Sequence, residues 1–272
     1  TYALASLYYS IDSGSNPVLT NSGSALAGIT TEQTLTFSGK IDLTDTGLRG
    51  ITRDNTPEDT LASLRNNKAT FTGTVNGGNA TIIQDFENIG GYPVYRHRYN
   101  GLFGMTYNAT VSNLTFGSES VSTEKGKMAL TSNTKMFGGA LAGEADGTLT
   151  VSGMTVNTPI TAAGGSEIYI GGLVGWATSS IGNIKSSGGR YNCSITDNNS
   201  KAESCFGGII GRIAQSSNNN VEWSFTNDTV TGSITSTSGN PSRIGGLITS
   251  IENRKGTSNR ALNLTNVSVA GM

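Results

Sequence analysis

Histidine occurs once in these 272 residues and cysteine twice. Only 14% of the chain is charged, and the formal net charge is -1. Each scarcity excludes something. One histidine, His97, removes HExxH and the usual zinc sites. It also sits between Arg96 and Arg98, which disfavour a protonated imidazole. Cys193 and Cys205 lie 12 apart, a spacing unlike any zinc site. They are either one disulfide of an oxidising compartment or two small core thiols. The near-zero net charge gives no ground for nucleic acid or an anionic membrane as partner. No run of about 18 apolar residues is present, so no membrane-inserted helix is expected. No basic, apolar leader stands at Thr1. The chain opens mid-stride and closes on a strand-like Val267-Ser268-Val269, which reads as a piece of a longer polypeptide.

What is abundant is glycine, 37 residues of it, with serine, threonine and asparagine. Helix formers are scarce. Valine, isoleucine, leucine and phenylalanine alternate with threonine and serine, the period of strands rather than of disorder. A tetrad then recurs: Gly101-Leu102-Phe103-Gly104, Ala140-Leu141-Ala142-Gly143, Gly172-Leu173-Val174-Gly175 and Gly208-Ile209-Ile210-Gly211. A worn copy follows at Gly246-Leu247-Ile248-Thr249. The spacings of 39, 32, 36 and 38 residues are those of a repeat architecture. A Walker loop would need a following Lys-Ser or Lys-Thr, which is missing, so the glycines read as architecture. After each tetrad come short alternating strands broken by Gly or Asn, which bury a face only by stacking on neighbours.

The fold expected is all-β, a right-handed parallel β-helix, because loops of any length can leave its coils. At about 20 residues per coil, each repeat would make two coils. Residues 37–272 would then form about twelve coils, roughly 55–60 Å of rod. Residues 1–36 are expected to be an N-terminal cap or linker. One short helix is expected between Arg53 and Lys68, started by Thr56-Pro57-Glu58-Asp59, with Leu61 and Leu64 inward. Leu102, Leu141, Leu173, Ile209 and Leu247 should form an inward ladder, with the glycines where backbone meets backbone closely.

The order Phe71-Thr-Gly-Thr-Val-Asn-Gly-Gly-Asn79, Ile82, Gly101-Leu-Phe-Gly104 and Val111-Ser-Asn-Leu-Thr115 resembles bacterial surface proteins carrying the GLUG motif. Gly171-Gly-Leu-Val-Gly-Trp176 with Ile181-Gly-Asn-Ile184 is the nearest copy, and the resemblance spans roughly 37–272. It departs at Val75-Asn76, where that family has an aromatic and Asp. It implies an extracellular, cell-surface β-helical stalk or adhesin segment; some such segments flank secreted immunoglobulin A peptidase domains.

No coherent nucleophile–base set or metal cluster stands out, so no enzyme and no cofactor is expected. Asp42 and Asp45 flank a strand end and are candidate calcium ligands. The carboxylate pairs to weigh for a carbohydrate-active enzyme, a polysaccharide lyase or hydrolase, are Asp42 and Asp45, Glu58 and Asp59 (which already start the helix), and Glu144 and Asp146, read as part of a turn after a tetrad. Tyr92, Tyr95 and Tyr99 with Arg96 and Arg98 are candidate contacts to a cell-surface glycan or protein; a packed loop is the alternative. Trp176 and Trp223 follow repeat strands and read as packing or corner residues. Eight Asn-x-Ser/Thr sequons occur, at Asn79, Asn108, Asn113, Asn192, Asn198, Asn227, Asn263 and Asn266. In a chain of this composition chance accounts for many. The C-terminal strands lack charge and proline and should be covered by a further domain or subunit. A fibre of end-to-end subunits is a third reading of the same feature.

Overall fold

The computed structural model describes residues 8–11, 17–20, 34–37, 39–42, 70–84, 99–117, 127–132, 135–179, 183–200, 204–215, 221–237, 242–253 and 260–271. These form a parallel β-solenoid with no helix among the described residues. The expected helix at 53–68 lies outside them.

The coil length differs from the sequence expectation. Each tetrad bonds directly to the next: Leu102 N–H donates to Ala140 O, Leu141 to Leu173 O, Leu173 to Ile209 O and Ile209 to Leu247 O. Register agrees, with Phe103 beside Ala142, Ala142 beside Val174, Val174 beside Ile210 and Ile210 beside Ile248. One repeat is therefore one coil of 32 to 39 residues, not two coils of about 20. The reason is that each coil turns several corners, with a short strand on each side between them. A small sheet holds Tyr99–Asn100, Lys135–Gly138, Glu167–Gly171, Ser204–Gly207 and Ser242–Gly245. Its five strands mark four turns of the solenoid. The remaining positions belong to one 20-stranded sheet that wraps around the stack. The stretch of its longest column that answers to the expected rod runs from Thr34–Phe37 to Arg260–Thr265. Six coil-to-coil steps at about 4.8 Å make this about 29 Å, half the expected rod.

Beyond Thr34–Phe37 the column continues into Pro17–Thr20, which pairs in parallel. Tyr8–Ile11 then pairs antiparallel with Pro17–Thr20, so among the described residues the outermost strand at this end runs against the stack.

The core follows from strand alternation. Leu102, Leu141, Leu173 and Ile209 are buried in one cluster, and Leu247 packs on it half-buried. Phe116, Val111, Val151, Phe225 and Val230 complete it from the following strands. A second cluster unites Met136, Ile168, Ile170 and Phe206 of the small sheet with Leu130, Ile160 and Ile195.

The tetrad glycines have two separate jobs, both matters of space. The first position lets coil stack on coil: a Cβ at Gly101 would lie 2.7 Å from Ala142 Cα, and one at Gly172 or Gly208 would run into the next coil's carbonyl, Gly208 O or Gly246 O. The fourth position lets two walls of the solenoid touch, within a coil or from one coil to the one before. A Cβ at Gly143 would lie 2.6 Å from Tyr99 Cα, at Gly175 2.7 Å from Tyr169 O, and at Gly211 2.6 Å from Ile170 N. Gly104 stands second in the strand Phe103–Phe116, and Gly246 is half-buried on the last coil.

Another column was hidden in the sequence. The same bend recurs from coil to coil at Asn79, Asn113, Gly153, Gly188, Asn227 and Asn266, all with φ between 52° and 64°. Glycine takes this left-handed conformation freely, and asparagine takes it more readily than other L-residues. Among the described residues, the non-glycine ones at positive φ are Asn79, Asn108, Asn113, Asn227 and Asn266, and every one of them is a sequon asparagine. The next residue points inward (Ala80, Ala109, Leu114 and Asp228 are buried) and the one after is the Thr or Ser on the outside. Bend geometry thus writes Asn-x-Thr without any reference to glycosylation.

Candidate functional site

The five residues expected to contact a ligand separate. Tyr92, Tyr95, Arg96 and Arg98 lie outside the described residues, as does His97. Tyr99 is described and is buried at 2% exposure, so it is not an exposed aromatic. It stands on the small sheet, just ahead of its tetrad, with its ring centroid 5.5 Å from that of Phe137. Strand alternation turns it into a notch between the small sheet and the strands that follow the tetrads. There Tyr99, Phe137, Tyr169 and Cys205 pack with Met105 and the half-buried Trp176. Phe137 centres this row, 5.1 Å from Tyr169 and 4.7 Å from Trp176.

Asp42 ends the strand Lys40–Asp42, paired with Ile83; Asp45 lies outside the described residues. No group of three or more His, Cys, Asp or Glu side chains that could hold a metal occurs among the described residues.

Glu144 and Asp146 are not on an exposed turn. The strand Ala142–Ser152 runs through both, with its register shift falling between Asp146 and Leu149 around Gly147, φ 68°. Both acids are buried. Glu144 Oε1 accepts from Thr178 Oγ1 at 2.8 Å, and Asp146 Oδ1 accepts from Gly147 N–H at 2.8 Å. Trp223 is buried in the main core, as a packing residue should be.

The densest chemistry is a seam at the notch that sequence reading missed. Arg212 lies with its guanidinium carbon 4.6 Å from the Tyr169 ring centroid. It donates to the Tyr169 hydroxyl and to Glu252, and pairs with Glu167 at 3.7 Å. The Tyr169 hydroxyl donates to Glu167, which also pairs with Lys135 at 2.5 Å. The partners come from four successive coils. Partly exposed pairs of this kind contribute little singly; as a row they fix side chains across coils. Only aligning the repeats on their tetrads would have revealed the row, because members that touch across coils stand a whole repeat apart in the chain.

Two polar clusters lie inside the stack. Asp197 Oδ2 accepts from Ser236 Oγ at 2.7 Å and from Ser242 Oγ at 3.2 Å, and Ser242 meets Ser204 at 2.9 Å. At the recurring bend, Asp228 Oδ1 accepts from Gly189 N–H at 2.7 Å, and Tyr191 meets Ser186 at 2.9 Å. Cys193 donates to Gly208 O at 2.8 Å, and burial pushes its thiol up to about 12. Burial also raises Tyr191. The two cysteines are free and occupy different clusters, so the core-thiol reading is the one seen.

Asp228 gives a pH prediction. Burial raises its carboxyl above the ordinary carboxylate range, offset in part by hydrogen bonds from Gly189, Ser186 and Thr226. Between the ordinary and the raised value the folded chain holds the proton more tightly than the unfolded chain. The group's stabilisation is therefore present at low pH and lost as pH rises through the folded value. Asp228→Asn can still accept from Gly189 and has no charge to bury. Urea midpoints taken from about pH 3 to 8 should fall with pH less steeply in the Asp228→Asn chain; parallel curves would refute the assignment.

Comparison with protein-family models, curated proteins and solved structures gives no match for this chain.

Proposed function

We propose that the chain is a non-catalytic segment of an extracellular, cell-surface β-helical stalk or adhesin, whose work is to hold and present surface at a fixed reach. The observation that carries this reading is how the acidic side chains are used. Among the described residues, six of them bridge one coil to a neighbouring coil: Glu144 to Thr178, Glu167 to Lys135 and Arg212, Asp197 to Ser236, Glu222 to Asn263, Asp228 to Gly189, and Glu252 to Arg212. A hydrolase or lyase needs two carboxylates, or a carboxylate and a base, converging on one bond. Here each of these acids is taken up by a bond between coils, and the two that share a partner, Glu167 and Glu252, are both held by Arg212; acids used this way serve rigidity instead. The GLUG-like tetrads support the surface setting, and a glycan or protein of the cell surface is the partner class proposed.

Incubation with pectins, glycosaminoglycans and mucin glycans tests the reading. No turnover is expected. Turnover that vanishes in Glu144→Gln, a change that keeps an acceptor for Thr178, would replace the stalk by a carbohydrate-active enzyme. Among the described residues no helix is long and apolar enough to cross a membrane.

A further inference from the structure

All five large apolar side chains that stand exposed among the described residues lie in the last coil: Ile244, Ile251, Leu262, Leu264 and Val269. Their exposures run from 40% for Ile251 to 52% for Leu264. Each continues a column whose preceding member is core. Ile244 stands beside Phe206, Ile251 beside Ile213, Leu262 beside Trp223, Leu264 beside Phe225, and Val269 beside Val230. All five preceding residues are buried, at 2% or less. The last coil thus keeps the inward pattern of a middle coil. A terminal coil built to face water would carry polar residues in those columns.

Two occupants can be compared on the geometry of the opposite end. A second copy seated head to tail would bring Tyr8–Ile11, the outermost described strand there, over Arg260–Thr265. That strand runs antiparallel to its own neighbour, whereas every coil-to-coil pairing from Thr34–Phe37 onward is parallel. A second copy seated tail to tail would also meet Arg260–Thr265 antiparallel. Neither continues the ladder in all columns. We infer that the occupant is a further coil of the same grammar, supplied by polypeptide other than these 272 residues. It would place parallel strands over Ser242–Gly245, Ile248–Asn253, Arg260–Thr265 and Ser268–Ala270, with apolar residues over the five exposed ones. The grammar continues to the last described residue: Thr231 pairs with Ala270, so Gly232 and Gly271, both at positive φ, occupy the same step.

That step defines the experiment. A copy of residues 233–271 joined behind Gly271 adds one coil in register. A second version carries serine at the copied positions of Ile244, Ile251, Leu262, Leu264 and Val269. Amide exchange of residues 260–270 is followed in the 1–272 chain and in both extended chains, with mass measured by light scattering. The expected result is fast exchange in the monomeric 1–272 chain, about tenfold or more slowing with the apolar coil, and little slowing with the serine version. Three results would overturn the inference. Residues 260–270 already protected in the 1–272 monomer would show an end that covers itself. Protection that appears only as the 1–272 chain self-associates would make a second copy the occupant. Unchanged exchange with the apolar coil added would show that this end accepts no coil of its own kind.

Discussion

Replacing Gly143 with alanine is expected to cost about 3 kcal/mol or more, at or beyond the upper end for overpacking. The added carbon meets the backbone of Tyr99 and Asn100, with two atoms of Tyr99 at 2.6 and 2.7 Å. Backbone in a paired strand cannot rotate away as a side chain can, so this strand and the small-sheet strand of the coil before must separate. They are stacked on the coils before and after, and the strain is passed along the axis. Gly188→Ala is the control. Nothing lies within 4 Å of a Cβ there, and the cost is the left-handed φ of 64° alone, about 1–2 kcal/mol. Urea unfolding of both chains measures the difference. Equal losses would mean that the glycines serve backbone conformation throughout and that the walls are not pressed together.

Leu173→Ala should cost about 2–5 kcal/mol, the range for a large-to-small change at a buried site. Leu173 is 2% exposed, stacked between Leu141 and Ile209 in the main cluster. The surrounding coils are held by strand bonds on both sides, so the cavity has little freedom to collapse. Leu247→Ala removes the same atoms at the same tetrad position, but Leu247 only packs against the cluster from a half-buried site. Its loss should be less than half as large. Paired denaturation curves decide this, and equal losses would show that the last coil is as well covered as the third.

The two predictions rest on features of unequal legibility. The tetrads, and the alternation that turns Leu149, Val151 and Val156 inward, were plain in the sequence, because both are set by local stacking and pleat. The number of residues per coil was not. Spacing fixes the repeat but not how many corners the chain turns within it, and only the direct bonding of Leu102 to Ala140 and its successors settles that. The bend column was half-visible, as strands broken by Gly or Asn. What hid it was the mixing of two residue types that share a conformation, Gly153 and Gly188 among Asn113, Asn227 and Asn266. The seam around Arg212 was illegible for another reason. Tyr169, Arg212 and Glu252 touch because coils stack, and no local pattern marks which outward side chains of separate coils share a column. Tyr99 misled because its neighbours Tyr92 and Tyr95 make an exposed aromatic patch look continuous, whereas strand pairing with Phe137 turns it inward.

Because one repeat is one coil, the gene for such a chain has a natural unit of change. Duplicating 32 to 39 residues inserts a coil whose upper and lower surfaces match those already present, so no new interface has to evolve. Each event lengthens the molecule by about 4.8 Å, and deletion of one unit shortens it by the same amount while the columns rejoin. Recombination between repeats would therefore change reach in even increments, leaving the two ends and whatever they meet unaltered. Populations carrying such a chain should differ in whole repeats far more often than in fractions of one.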